Sequence, residues 1–87
     1  MPYISVPRRQ YFAHKDGFIE TPGELNYLLT LDVLRYLAEH KLSYQTINDI
    51  VGALEGAKLE FYRRIAVPYE QSKIRENGDV YPLWNFI

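Results

Sequence analysis

Ile47-Asn48-Asp49-Ile50-Val51-Gly52-Ala53-Leu54-Glu55-Gly56-Ala57-Lys58-Leu59-Glu60-Phe61-Tyr62-Arg63-Arg64-Ile65 is the stretch that decides the fold. Ile47, Ile50, Val51, Leu54, Phe61 and Ile65 recur three and four residues apart and make one stripe, broken by Lys58. That spacing belongs to an amphipathic helix. Thr46, with Asp49 three residues on, marks its start, so the pattern predicts a helix over about 46–66. Pro68 then ends or kinks it, because a proline ring clashes with the carbonyl four residues earlier.

Upstream, Thr21-Pro22-Gly23-Glu24 places a threonine at the N-cap, a proline at the first helical position and a glutamate at the third. Thr21 can accept a bond from the Glu24 amide while the Glu24 carboxylate reaches back, a capping box. Leu25, Leu28, Leu29, Val33, Tyr36 and Leu37 follow at helical spacing, and the helix is predicted to end near His40 to Leu42. Leu31 and Leu34 widen its apolar face, which suggests contact on two sides.

The ends read differently. Pro2 and Pro7 limit helix in residues 1–20, Ile4 and Val6 permit one short strand, and Asp16-Gly17 is a turn dipeptide. Downstream of Pro68 a short third helix is predicted over about 69–76, with Asn77-Gly78 as its stop. The predicted protein is all-α: two long helices, a short third helix after Pro68, an irregular N-terminal arm and an aromatic C-terminal tail. It forms a single domain over 1–87, divided into arm 1–20, helical core 21–81 and tail 82–87. With Tyr81 just before it, Trp84 and Phe86 make the stretch from Val80 to Ile87 too apolar to hang free in water.

Bulk composition narrows the function. A chain of 87 residues buries only roughly 60% of its unfolded surface, and small domains compensate with disulfides, a metal or oligomerisation. There is no cysteine, and His14 and His40 have no metal-ligand spacing. A homo-oligomer is the expectation that remains, with no metal and no cofactor. Ten Lys plus Arg against eleven Asp plus Glu leave a net charge of −1, so nothing global draws the chain to nucleic acid or an anionic membrane. No apolar run approaches the ~18 residues of a membrane helix. Met1-Pro2-Tyr3 opens no secretory signal, which points to a cytoplasmic protein.

Two clusters are candidate sites. Lys58-Leu59-Glu60-Phe61-Tyr62-Arg63-Arg64 packs three cations and two aromatics together. Adjacent arginines point about 100° apart on a helix, so one of Arg63 and Arg64 is expected to be free for an anion. With Lys73, Tyr62 and Tyr69 they form a candidate anion or nucleotide site, arginine holding phosphate and tyrosine stacking on a base. A solvated face of surface ion pairs is the plainer reading of the same residues. Gly52, Ala53 and Gly56 make a smooth patch where another helix could approach, either within the chain or from a second subunit. With Trp84 and Phe86 they are the candidate interface.

No serine sits in a nucleophile elbow and no glycine-rich phosphate loop is present, so no catalytic residue is assigned. Glu76-Asn77-Gly78-Asp79 has the E-x-x-D form and looks somewhat like the second half of the magnesium-binding pattern of all-helical nucleotide pyrophosphatases. Glu55 and Glu60 fail the first half, being five residues apart rather than three.

Gly23-Glu24-Leu25-Asn26-Tyr27, Tyr44-Gln45-Thr46-Ile47-Asn48-Asp49, the segment from Gly52 to Arg64, Pro68-Tyr69-Glu70, and Lys73 through Glu76-Asn77-Gly78-Asp79-Val80-Tyr81 together resemble a family of small uncharacterised proteins of tailed bacteriophages. The resemblance covers about residues 1–81 and leaves Pro82–Ile87 outside. It implies a non-enzymatic accessory binding protein in the host bacterial cytoplasm, acting on host physiology or defence. Such a protein would either inhibit a host protein or sequester a nucleotide signal in an oligomer. The alternatives are a divergent magnesium-dependent pyrophosphatase and a minor virion structural protein.

Overall fold

The structure is a computed structural model of the chain, and it describes residues 3–14 and 17–81. It is all-α: α1 spans Val6–His14, α2 Pro22–His40, α3 Tyr44–Phe61 and α4 Val67–Asn77, with a π-helical turn over Tyr62–Ala66 joining the last two. No residue among those described is in a strand. No helix among them is long and apolar enough to cross a membrane.

Helix α1 replaces most of the irregular arm expected from Pro7. The Ser5 Oγ accepts the Arg8 amide at 3.4 Å, and the Ser5 carbonyl accepts the Arg9 amide at 3.0 Å. Ser5 is thus the N-cap, and Pro7 lies in the first turn, where a missing N–H is no loss. Proline there begins a helix rather than forbidding one.

Helix α2 starts where its sequence says. Thr21 is extended, at φ −132° and ψ 157°, and its Oγ1 accepts the Glu24 amide at 3.1 Å. It stops at Lys41, whose amide donates to the Leu37 carbonyl at 2.8 Å with φ at 65°. Helix α3 starts two residues before the expected Thr46. Ser43 is its cap: the Ser43 Oγ accepts the Thr46 amide at 3.1 Å and donates to the Thr46 hydroxyl at 3.1 Å.

Pro68 does not end the helix: α4 answers to the short third helix expected over about 69–76, but it follows α3 through the π-turn without a break. The Val67 amide donates to the Tyr62 carbonyl, five residues back, while the backbone on either side stays α-helical at Phe61 and Val67. A π-turn carries one extra residue, and it falls where an α-helix would meet a proline with no amide to donate. The helix therefore runs on through Pro68 to Asn77, where Gly78, at φ 86°, closes it with an amide bond to the Ile74 carbonyl of 2.8 Å.

The chain forms two compact units, Met1–Ile50 and Val51–Ile87. In the first, α1 is fixed to the start of α2 by Arg8. Its guanidinium makes a bidentate pair with Glu24, Nε to Oε2 at 2.8 Å and Nη2 to Oε1 at 2.9 Å. Arg8 also donates to the Phe18 carbonyl at 3.1 Å and lies 4.6 Å from the Tyr11 ring centroid and 5.0 Å from that of Phe12. The Glu24 Oε1 also accepts the Glu20 amide at 2.9 Å, and the carboxylate takes a weaker bond from the Thr21 amide, the returning half of the capping box. Phe12, 8% exposed, is the one buried apolar side chain among the described residues. Leu25 and Leu29 on one side of α2, and Leu31 and Leu34 on another, all stay exposed. In the second unit the described residues are one helix and the turn after it, and Val51, Leu54, Phe61 and Ile65 are exposed.

Candidate functional site

The helix of the second unit carries all five residues of the expected anion site. Glu60 binds both arginines: its Oε2 accepts from Arg63 and its Oε1 from Arg64. Residues three and four positions on from a helical glutamate stand on either side of it, so two long side chains converge on one carboxylate. The expectation that only one could be spent this way therefore fails. Both arginines remain about three-quarters exposed, and exposed pairs of this kind contribute only about 0.2–1 kcal/mol each.

Lys73 is engaged on its own turn. Its Nζ lies 3.2 Å from the Glu76 carboxylate and 5.5 Å from the Tyr69 ring centroid. The Tyr62 hydroxyl is bound to the Glu70 carboxylate, and this hydrogen bond, with the charge behind it, raises the Tyr62 pKa above its ordinary value. Each polar candidate is thus held by a neighbour on the same helix. Lys73 also lines an open groove with Glu70, Ile74, Asn77 and Tyr81, at the turn where the Tyr81 amide donates to Asp79 Oδ1 at 2.9 Å.

Gly52 and Gly56 have no atom within 4 Å of a Cβ built on either. Among the described residues, nothing packs closely on either glycine of the patch they form with Ala53. Trp84 and Phe86, and the whole tail 82–87, lie outside the described residues. Glu76 and Asp79 are divided by the helix stop at Gly78. Among the described residues no three His, Asp or Glu side chains are grouped to hold a metal ion.

One organised polar cluster was not anticipated from the sequence. The Tyr36 hydroxyl donates to Asp49 Oδ2 at 3.2 Å, Gln45 donates to Asp49 Oδ1 at 2.7 Å, and the Tyr36 ring stacks on His40 with centroids 4.0 Å apart. Desolvation first, and then the Asp49 charge, raise the Tyr36 pKa. By spacing Tyr36 belongs to the apolar face of α2, and nothing local in sequence joins it to Asp49, thirteen residues away.

These features define a small all-α protein whose candidate polar residues are spent on one another and whose large apolar residues are mostly not. The chain belongs to the family described as a domain of unknown function, DUF6899, whose model matches residues 1–80. No curated protein and no solved structure matches it.

Proposed function

We propose that this chain is a binding protein rather than an enzyme, and that what it binds is another protein. The observation behind this reading is the disproportion between Phe12, the one buried apolar side chain described, and the exposed leucines and aromatics along α2, α3 and α4. Scattered apolar residues on a surface are ordinary, but contiguous rows of them belong to interaction sites. Leu34 at 52% exposure and Phe61 at 64% each leave a side chain in water whose full burial is worth about 1.5–3 kcal/mol. A protein partner recovers that; a small nucleotide covers little of it.

The nucleotide-capturing form of the reading is the weaker one, because Glu60 already engages both Arg63 and Arg64 and Glu76 stands on Lys73. If the resemblance to phage proteins reflects its origin, the partner is a host protein and the role is inhibition of host physiology or defence.

The test is affinity capture from host cells with the full chain and with a Leu29→Asp, Leu34→Asp variant of unchanged helicity. The reading expects one host protein at equal stoichiometry, lost in the variant. Turnover of nucleotides with magnesium, abolished in Asp79→Asn, would replace it with the pyrophosphatase alternative.

A further inference from the structure

Along α3 and the π-turn, Ile47, Val51, Leu54, Lys58, Phe61 and Ile65 are spaced 4, 3, 4, 3 and 4 residues apart. This is the a/d alternation of a coiled-coil seam, with Val51, Lys58 and Ile65 at a and Ile47, Leu54 and Phe61 at d. All of the apolar members are exposed. The seam ends at the π-turn, whose extra residue rotates later positions out of register. Gly52 and Gly56 lie on the opposite side of the helix, so their open patch is separate from it.

We propose that this seam is covered by the same helix of a second copy of the chain, running antiparallel. The proposal rests on the reading of the chain as a protein-binding protein and names one partner for one face. Two features of the helix choose that partner. The charges in or beside the seam are Glu55 in its first half and Lys58 and Arg64 in its second, while Asp49 and Arg63, seven residues either side of Gly56, lie with it on the far side. Two such helices side by side in opposite directions bring Glu55 of each beside Lys58 of the other, and a two-fold axis makes both contacts at once.

Lys58 supplies the second feature. In a parallel, in-register pair, a positions meet a positions, and two lysines would face one another in the seam. A polar residue at a single a position commonly fixes register and orientation in this way. In an antiparallel pair a residues meet d residues. The register that uses every seam position from Ile47 to Ile65 sets Ile47 against the partner's Ile65, Val51 against the partner's Phe61, and Lys58 against the partner's Leu54. Lys58 then lies next to the partner's Glu55, the residue type it already reaches within its own helix, at 3.7 Å.

The chain's lack of cysteine allows a direct test by single-cysteine crosslinking of the full chain. Val51→Cys mixed with Phe61→Cys should give a covalent heterodimer on mild oxidation, while Val51→Cys alone should not, its two copies being about 15 Å apart along the pair and beyond disulfide reach. Light scattering should give a multiple of the 10.3 kDa protomer mass, falling to one protomer in Leu54→Glu with helicity retained. Self-crosslinking of Val51→Cys would overturn the antiparallel arrangement. A wild-type protomer mass would overturn the pairing altogether. Host-protein capture by that monomer would still uphold the broader binding reading, so the two failures are distinguishable.

Discussion

Arg8 and Glu24, sixteen residues apart, face each other as a two-bonded ion pair with the carboxylate only 5% exposed. The Arg8 hydrogen bond, and next the Glu20 amide, hold the Glu24 pKa below its ordinary value of 4.5. A carboxylate whose folded pKa is depressed stabilises the fold at pH values above the unfolded pKa, and that stabilisation is lost as pH falls through the folded one. Anchoring of α1 should therefore persist at neutral pH and fail on acidification below about 4.5. Carboxylate NMR of Glu24 in the full chain, with amide shifts of α1 followed in parallel, checks this. In Arg8→Ala the Glu24 titration should move up toward its ordinary range, and Arg8→Lys should restore it only in part, because lysine lacks the fork.

The helix caps give a second expectation. Thr21→Ala and Ser43→Ala should each lower stability by about 1 kcal/mol, measured by urea unfolding. Equal stability of Ser43→Ala and wild type would return the start of α3 to Thr46.

Lys41 and Gly78 end their helices in nearly the same backbone conformation, φ 65° and ψ 157° against φ 86° and ψ 162°. The region is open to glycine and costs other residues about 1–3 kcal/mol. Lys41→Gly should raise the thermal midpoint, with a gain of about 1 kcal/mol, and Gly78→Ala should lower it. A neutral Lys41→Gly would show that the strain is relieved elsewhere.

Pro68→Ala returns an amide donor to the helix and removes the ring that opposes the carbonyl of residue 64. It should raise stability by about 1–3 kcal/mol, read from the urea midpoint. A loss of stability would mean that the π-turn is held by something other than the proline.

How much of this was legible follows from which interactions are local. Thr21-Pro22-Gly23-Glu24 declares the start of α2 because every group in a cap lies within four residues. The same grammar is present at Ser5-Val6-Pro7-Arg8 and Ser43-Tyr44-Gln45-Thr46, but Pro7 also reads as a helix breaker, and Thr46, the buried partner of the cap, offers itself as a cap. Arg8 with Glu24, and Tyr36 with Asp49, join residues from different helices, and no periodicity announces such a pair. The divergence of Arg63 and Arg64 frees neither of them, because Glu60 sits between them one turn back and reaches both. The continuous helix through Pro68 depends on a π-turn, a backbone choice that no residue in Tyr62–Ala66 signals.

The central claim is that another polypeptide completes this chain's apolar burial. Native mass spectrometry of the untagged full-length protein, purified from the cells in which it acts, tests it most directly. The account predicts an assembly of more than one polypeptide, either further copies of the 10.3 kDa chain or a host protein beside it. A lone protomer, folded and helical, would contradict it.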